Sequence, residues 1–136
     1  MELWRRLDLD PLPESVTRAR AFVVRCCEDW RMDASRDTAA LLVSELATNA
    51  VRHAGTPVTV WVARRPDRLV LSVQDQSPAL PEPYPADPLD ESGRGLALVE
   101  ALADSWGERD VATGKIVWAE IALTEALSSI TQRDFS

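Results

Sequence analysis

Two periods of apolar residues run along this chain, and each change of period marks an element. Leu3, Arg5, Leu7 and Leu9 share one side of a two-residue alternation, which predicts a first strand over Leu3 to Leu9. Pro11 and Pro13 then punctuate. From Glu14 to Arg31 the step lengthens to three and four residues, through Val16, Ala19, Phe22, Val23, Cys26, Cys27 and Trp30, and predicts an amphipathic helix. A second helix, capped by Asp33 or Ser35, carries Ala39, Leu42, Val43, Leu46, Ala50 and Val51 on one stripe and stops near Ala54, before Gly55-Thr56-Pro57.

Alternation returns with Val58, Val60 and Val62, then with Leu69, Leu71 and Val73. Arg65-Pro66-Asp67-Arg68 joins the two runs as a hairpin turn. Gln76 to Glu91 has no period and holds five of the nine prolines, four acids and no base, the signature of a lid or binding loop. Ser92-Gly93-Arg94-Gly95 opens a third helix through about Asp104. Ser105 to Val111 and Lys115 to Leu123 predict a second hairpin around Ala112-Thr113-Gly114. The order β-α-α-β-β-lid-α-β-β has little βαβ alternation. It predicts an α+β, two-layer sandwich: a mixed, mostly antiparallel sheet with helices on one face. Residues 1–124 make a single domain and 125–136 a C-terminal tail.

Composition narrows the function. A net charge of -7, from 15 basic and 22 acidic residues, argues against a partner rich in phosphates, whether nucleic acid or an anionic membrane surface. No apolar run approaches the roughly 20 residues of a membrane span, and no apolar segment follows the first charges as a leader requires, so a cytoplasmic protein is expected. Cys26 and Cys27 are adjacent, without metal-ligand spacing, and read as buried thiols.

Three features could carry chemistry. Glu45, Asn49 and His53 follow one another at four-residue steps, so they form one ridge of the second helix. A carboxylate and an amide oxygen one turn apart suit Mg²⁺, which takes hard oxygen ligands; the same spacing also describes a solvated helix edge. Asp75 ends an alternating strand, where it can accept a hydrogen bond from an exocyclic amine or simply start a turn. Gly93 and Gly95, at a helix start, would let a phosphate approach unpaired amides, or would serve as a plain cap.

In this order, the three features resemble the Bergerat-fold ATP-binding superfamily of gyrase, heat-shock chaperones and histidine kinases. The stretch Glu45-Leu46-Ala47-Thr48-Asn49-Ala50-Val51-Arg52-His53-Ala54 is similar to the N-box of its small bacterial branch, the anti-sigma-factor serine kinases and their actinobacterial relatives. The resemblance covers about residues 14–123. It implies that Asn49 binds Mg²⁺ and through it the triphosphate of ATP, and that Glu45 is the catalytic base. Asp75 would hold the adenine amine. His53, Ser77, Arg94 and Leu96 would line the nucleotide, and Gly93 and Gly95 would wrap its phosphates. The implied partners are a small anti-anti-sigma-like antagonist that is phosphorylated on serine, a sigma factor or other regulator, and a second copy of the chain, with Trp4, Phe22 and Trp30 available for a surface or for core packing.

Three positions depart from the pattern of these kinases. Ser77 stands where a glycine is usual, Glu91 where a basic residue precedes Ser-Gly-x-Gly, and Ile116 where a threonine often follows the last hairpin's glycine. They admit a second expectation, a nucleotide-sensing or protein-binding module without catalysis. A histidine kinase fragment fits less well, because His53, the one histidine, falls inside the nucleotide motif. The four acids of Gln76 to Glu91 would repel a triphosphate, so binding is expected to depend on Mg²⁺ and backbone amides.

Overall fold

The computed structural model describes residues 3–77 and 91–123, and the side chains of all of these except 53–54 and 91–96. The predicted loop and tail therefore lie mostly outside the described residues. The elements are β1 (Leu3–Leu9), α1 (Glu14–Asp29), α2 (Asp33–Ala54), β2 (Val58–Arg64), β3 (Arg68–Gln74), α3 (Glu91–Leu102), β4 (Ser105–Val111) and β5 (Gly114–Ala122). The five strands form one sheet in the order β1-β2-β3-β5-β4. Every neighbouring pair is antiparallel, so the α+β expectation holds and the sheet has no parallel pair among the described strands.

Burial alternates along the strands. Val58, Val60, Val62, Leu69, Leu71, Val73, Val117 and Ala119 are buried, and with Ala19, Val23, Leu42, Val43 and Leu46 they form the core between sheet and helices. Helix α2 is the centre of the helical layer, touching α1 and α3 beside it and β2, β3 and β5 beneath it. The opposite sheet face has a different make-up. The register sets Arg6, Trp61, Ser72, Trp118 and Gly107 in one row across it. Arg6 lies 5.1 Å above the Trp61 ring, and Trp4 meets Trp61 at 5.7 Å. A side chain at residue 107 would come within 2.5 Å of the Trp118 indole, so glycine makes room for that ring.

Element ends differ slightly from expectation, for local reasons. Helix α1 stops at Asp29 because Arg31 takes a left-handed φ of 57°, and Trp30 and Met32 donate back to Cys26 and Cys27 as the chain reverses. Neither Asp33 nor Ser35 caps α2: Met32 occupies that position without a side-chain hydrogen bond, and Asp33 sits in the first turn, where its charge suits the helix dipole. Helix α3 ends at Leu102 because Asp104 is drawn to the sheet. Its N–H donates to the Glu120 carbonyl, and its carboxylate accepts from the Ala122 N–H at 2.6 Å.

Cys26 and Cys27 are buried and unbridged, as expected, and desolvation pushes the Cys27 thiol up to about 11. Among the described residues no helix is long and apolar enough to cross a membrane.

Candidate functional site

The site begins with the C-terminal half of α2. Its apolar stripe docks on the sheet, so the Glu45–Asn49 ridge runs along the border of the buried face. Glu45 is half-buried, and Asn49, one turn on, is only 8% exposed. The Asn49 Oδ1 atom is buried and has no hydrogen-bond partner among the described residues. A buried amide oxygen without a partner costs about 1–3 kcal/mol, so the position carries a penalty that an occupant can relieve. A hard cation fits that oxygen. Among the described residues no three His, Cys, Asp or Glu side chains cluster as a metal-binding group. Asn49 would supply one ligand, with phosphate oxygens and water supplying the rest.

Asp75 follows the last residue of β3 and is 5% exposed. Its Oδ1 accepts two backbone hydrogen bonds, from Ser77 and from Lys115, each at 3.1 Å. The first is the local turn expected of an Asp at a strand end; the second ties Asp75 to the start of β5. Both fall on Oδ1, so Oδ2 is the carboxylate oxygen with no hydrogen bond among the described residues. The Asp75 N–H also donates to the Lys115 carbonyl at 3.0 Å.

One further bond joins the two halves of the site. The helix α2 ends in Gly55, whose φ of 62° terminates it in left-handed geometry, and the next residue, Thr56, accepts from the Gln76 N–H at 2.9 Å. The end of α2 and the residues beyond Asp75 are thereby fastened at one end of the sheet. Helix α3 packs against α2 from the other side. Gly93, Arg94, Gly95 and Leu96 lie in its opening turns, since α3 starts at Glu91. The helix thus opens at these glycines as expected, one residue before Ser92, with an acidic first residue that suits the helix dipole. His53 lies in the last turn of α2; its side chain, like those of residues 91–96, is outside the description.

Two residues escaped the sequence reading. Thr56 was hidden inside a helix-stop signal, and Gly114 inside a turn signal. Ile116 also changes meaning. It pairs with Gln74 on the sheet face opposite the buried Val117 and Ala119, so the threonine comparison made there does not bear on the Asp75 side. Lys115, whose ammonium reaches Glu108 at 3.9 Å, is the neighbour that touches Asp75.

A family model described as histidine kinase-like ATPase domain matches residues 9–128. An uncharacterized protein of Streptomyces coelicolor is 41% identical over 70 residues, a stretch that covers 48% of this chain and 67% of that protein.

Proposed function

Given that the chain belongs to the histidine kinase-like ATPase domain family, we propose that it is an Mg·ATP-dependent protein serine kinase acting as a cytoplasmic regulatory switch. The observation that carries this reading is the buried Asn49 oxygen, without a hydrogen-bond partner among the described residues and one turn from Glu45. In the proposed reaction Glu45 takes the proton of a serine hydroxyl on a small anti-anti-sigma-like antagonist. The serine oxygen bonds to the γ-phosphorus, the bridging bond to the β-phosphate breaks, and ADP leaves. Mg²⁺, held by Asn49, would screen the phosphate charge. Asp75 would accept from the adenine amine, and the opening turns of α3 would offer backbone amides to the phosphates. Before transfer the protein would hold a sigma factor or another regulator.

The test is calorimetry with Mg·ATP, then transfer of labelled γ-phosphate to a candidate antagonist. Saturable binding that vanishes with a chelator, followed by serine labelling, is the expected result. No heat of binding overturns the reading. Binding without transfer to any antagonist would leave the second reading, a nucleotide-sensing module, which Ser77 in place of the usual glycine admits.

We also propose a homodimer, joined across the outer sheet face. Phe22 and Trp30 pack partly into the core, whereas Trp4 is 62% exposed beside Trp61. A hollow of about 620 Å³ opens on the same face between Arg6, Trp61, Gln74 and Thr113. Sedimentation across a concentration series should show a dimer that Trp4→Glu dissociates; monomer alone at micromolar protein removes the proposal.

A further inference from the structure

Gly114 reads in the sequence as a turn residue, yet the structure gives it no conformational reason to be glycine. It is the first residue of β5, it is buried, and its φ is not in the left-handed region that Gly55 occupies. What it lacks is space. A Cβ there would collide with the Asp75 carbonyl oxygen, and would lie 2.8 Å from the Asp75 carbonyl carbon and 3.0 Å from the Gln76 Cα. All three obstacles are backbone atoms of the strand end that carries Asp75, so none can swing aside as a side-chain tip would.

The close approach has a chemical product. It brings the Lys115 N–H within 3.1 Å of Asp75 Oδ1, while Asp75 N–H reaches the Lys115 carbonyl at 3.0 Å. With the Ser77 amide, Oδ1 holds two donors and the carboxylate is pinned against rotation. An ionised carboxylate accepts hydrogen bonds only. With Oδ1 occupied and no hydrogen bond on Oδ2 among the described residues, Oδ2 is the oxygen to meet a ligand, and it rewards a donor and repels another acceptor.

We propose that Gly114 is a positioning residue for base selection: its missing side chain lets the Lys115 amide saturate Asp75 Oδ1. The carboxylate then presents one fixed acceptor and selects a purine bearing an exocyclic amine over one bearing a carbonyl. The inference rests on the nucleotide-binding reading above.

The experiment compares Mg·ATP with Mg·inosine triphosphate, which carries a carbonyl where ATP carries the amine, on wild type and Gly114→Ala. Wild type should prefer ATP by about tenfold or more, the worth of a hydrogen bond to a charged group. Gly114→Ala should lose that preference, with ATP weakened about tenfold and inosine triphosphate unchanged within about twofold. Retained preference, or an equal loss of both ligands, overturns the proposal, since a merely structural glycine would weaken both alike. Wild type that binds neither nucleotide sinks the underlying reading and this one together; wild type that binds both equally sinks this one alone. If Gly114→Ala does not fold, the wild-type protein still decides by NMR. The Lys115 amide should be protected from hydrogen exchange by its bond to Asp75 Oδ1, and a Lys115 amide that exchanges as freely as an exposed turn overturns the assignment.

Discussion

Asn49→Ala should abolish Mg²⁺-dependent ATP binding without destabilising the protein, and the combination is more telling than either result alone. The carboxamide is 8% exposed and its Oδ1 has no partner among the described residues. Alanine removes an unsatisfied buried acceptor, which recovers up to about 1–3 kcal/mol, and leaves a small void that returns part of it. The unfolding temperature without nucleotide should therefore stay level or rise by a few degrees. ATP affinity should move the other way. Loss of groups that merely support a metal ligand costs about 10–100-fold in metal affinity, so loss of a direct ligand should cost about a hundredfold or more.

Ordinary core polar residues do not behave in this way; truncating a satisfied one lowers stability. Thermal denaturation and calorimetry on the same preparations check both halves. An Asn49→Ala protein that melts well below wild type while binding Mg·ATP normally would show that the amide serves the fold and not a ligand. Asn49→Asp extends the logic. It places a carboxylate at a buried position, so it should lower stability without Mg²⁺ and recover it when Mg²⁺ is added.

Most of this architecture was legible because one sheet face is buried and the other is not. Val58, Val60 and Val62 against Thr59 and Trp61 leave no freedom of register, since a slip by one residue would turn all three valines to solvent. Helix ends were less legible. The turn after Asp29 depends on Arg31 adopting a left-handed φ, and arginine announces no such preference. For the site, the four-residue step from Glu45 to Asn49 is a property of local sequence, as is the Asp that closes β3. Contacts between distant backbone atoms are not. The Lys115 amide meets Asp75 across 40 residues, and only the sheet order, in which β5 lies beside β3, brings them together. The same register turns Ile116, which stands where the kinases often have a threonine, to the outer face.

Glu45→Ala should separate binding from chemistry. Glu45 is half-buried and belongs to the same ridge of α2 as Asn49, one turn nearer the helix start. It is not needed to complete the buried core, so alanine, a better helix former, should fold normally. A positioned general base contributes about 10²–10⁴-fold, so labelling of the antagonist's serine should fall by that factor while Mg·ATP affinity stays within about twofold. Glu45→Gln is the sharper variant. It keeps the length and the hydrogen-bonding shape of the side chain but cannot take a proton, so it should fail as completely as alanine. Should glutamine restore transfer to near the wild-type rate, Glu45 orients the serine rather than deprotonating it. Should alanine itself transfer at the wild-type rate, the proton leaves by another route and the base must be sought elsewhere. A parallel loss of ATP affinity would mean that Glu45 helps to build the nucleotide site, and the kinase assignment would then rest on Asn49 and Asp75 alone.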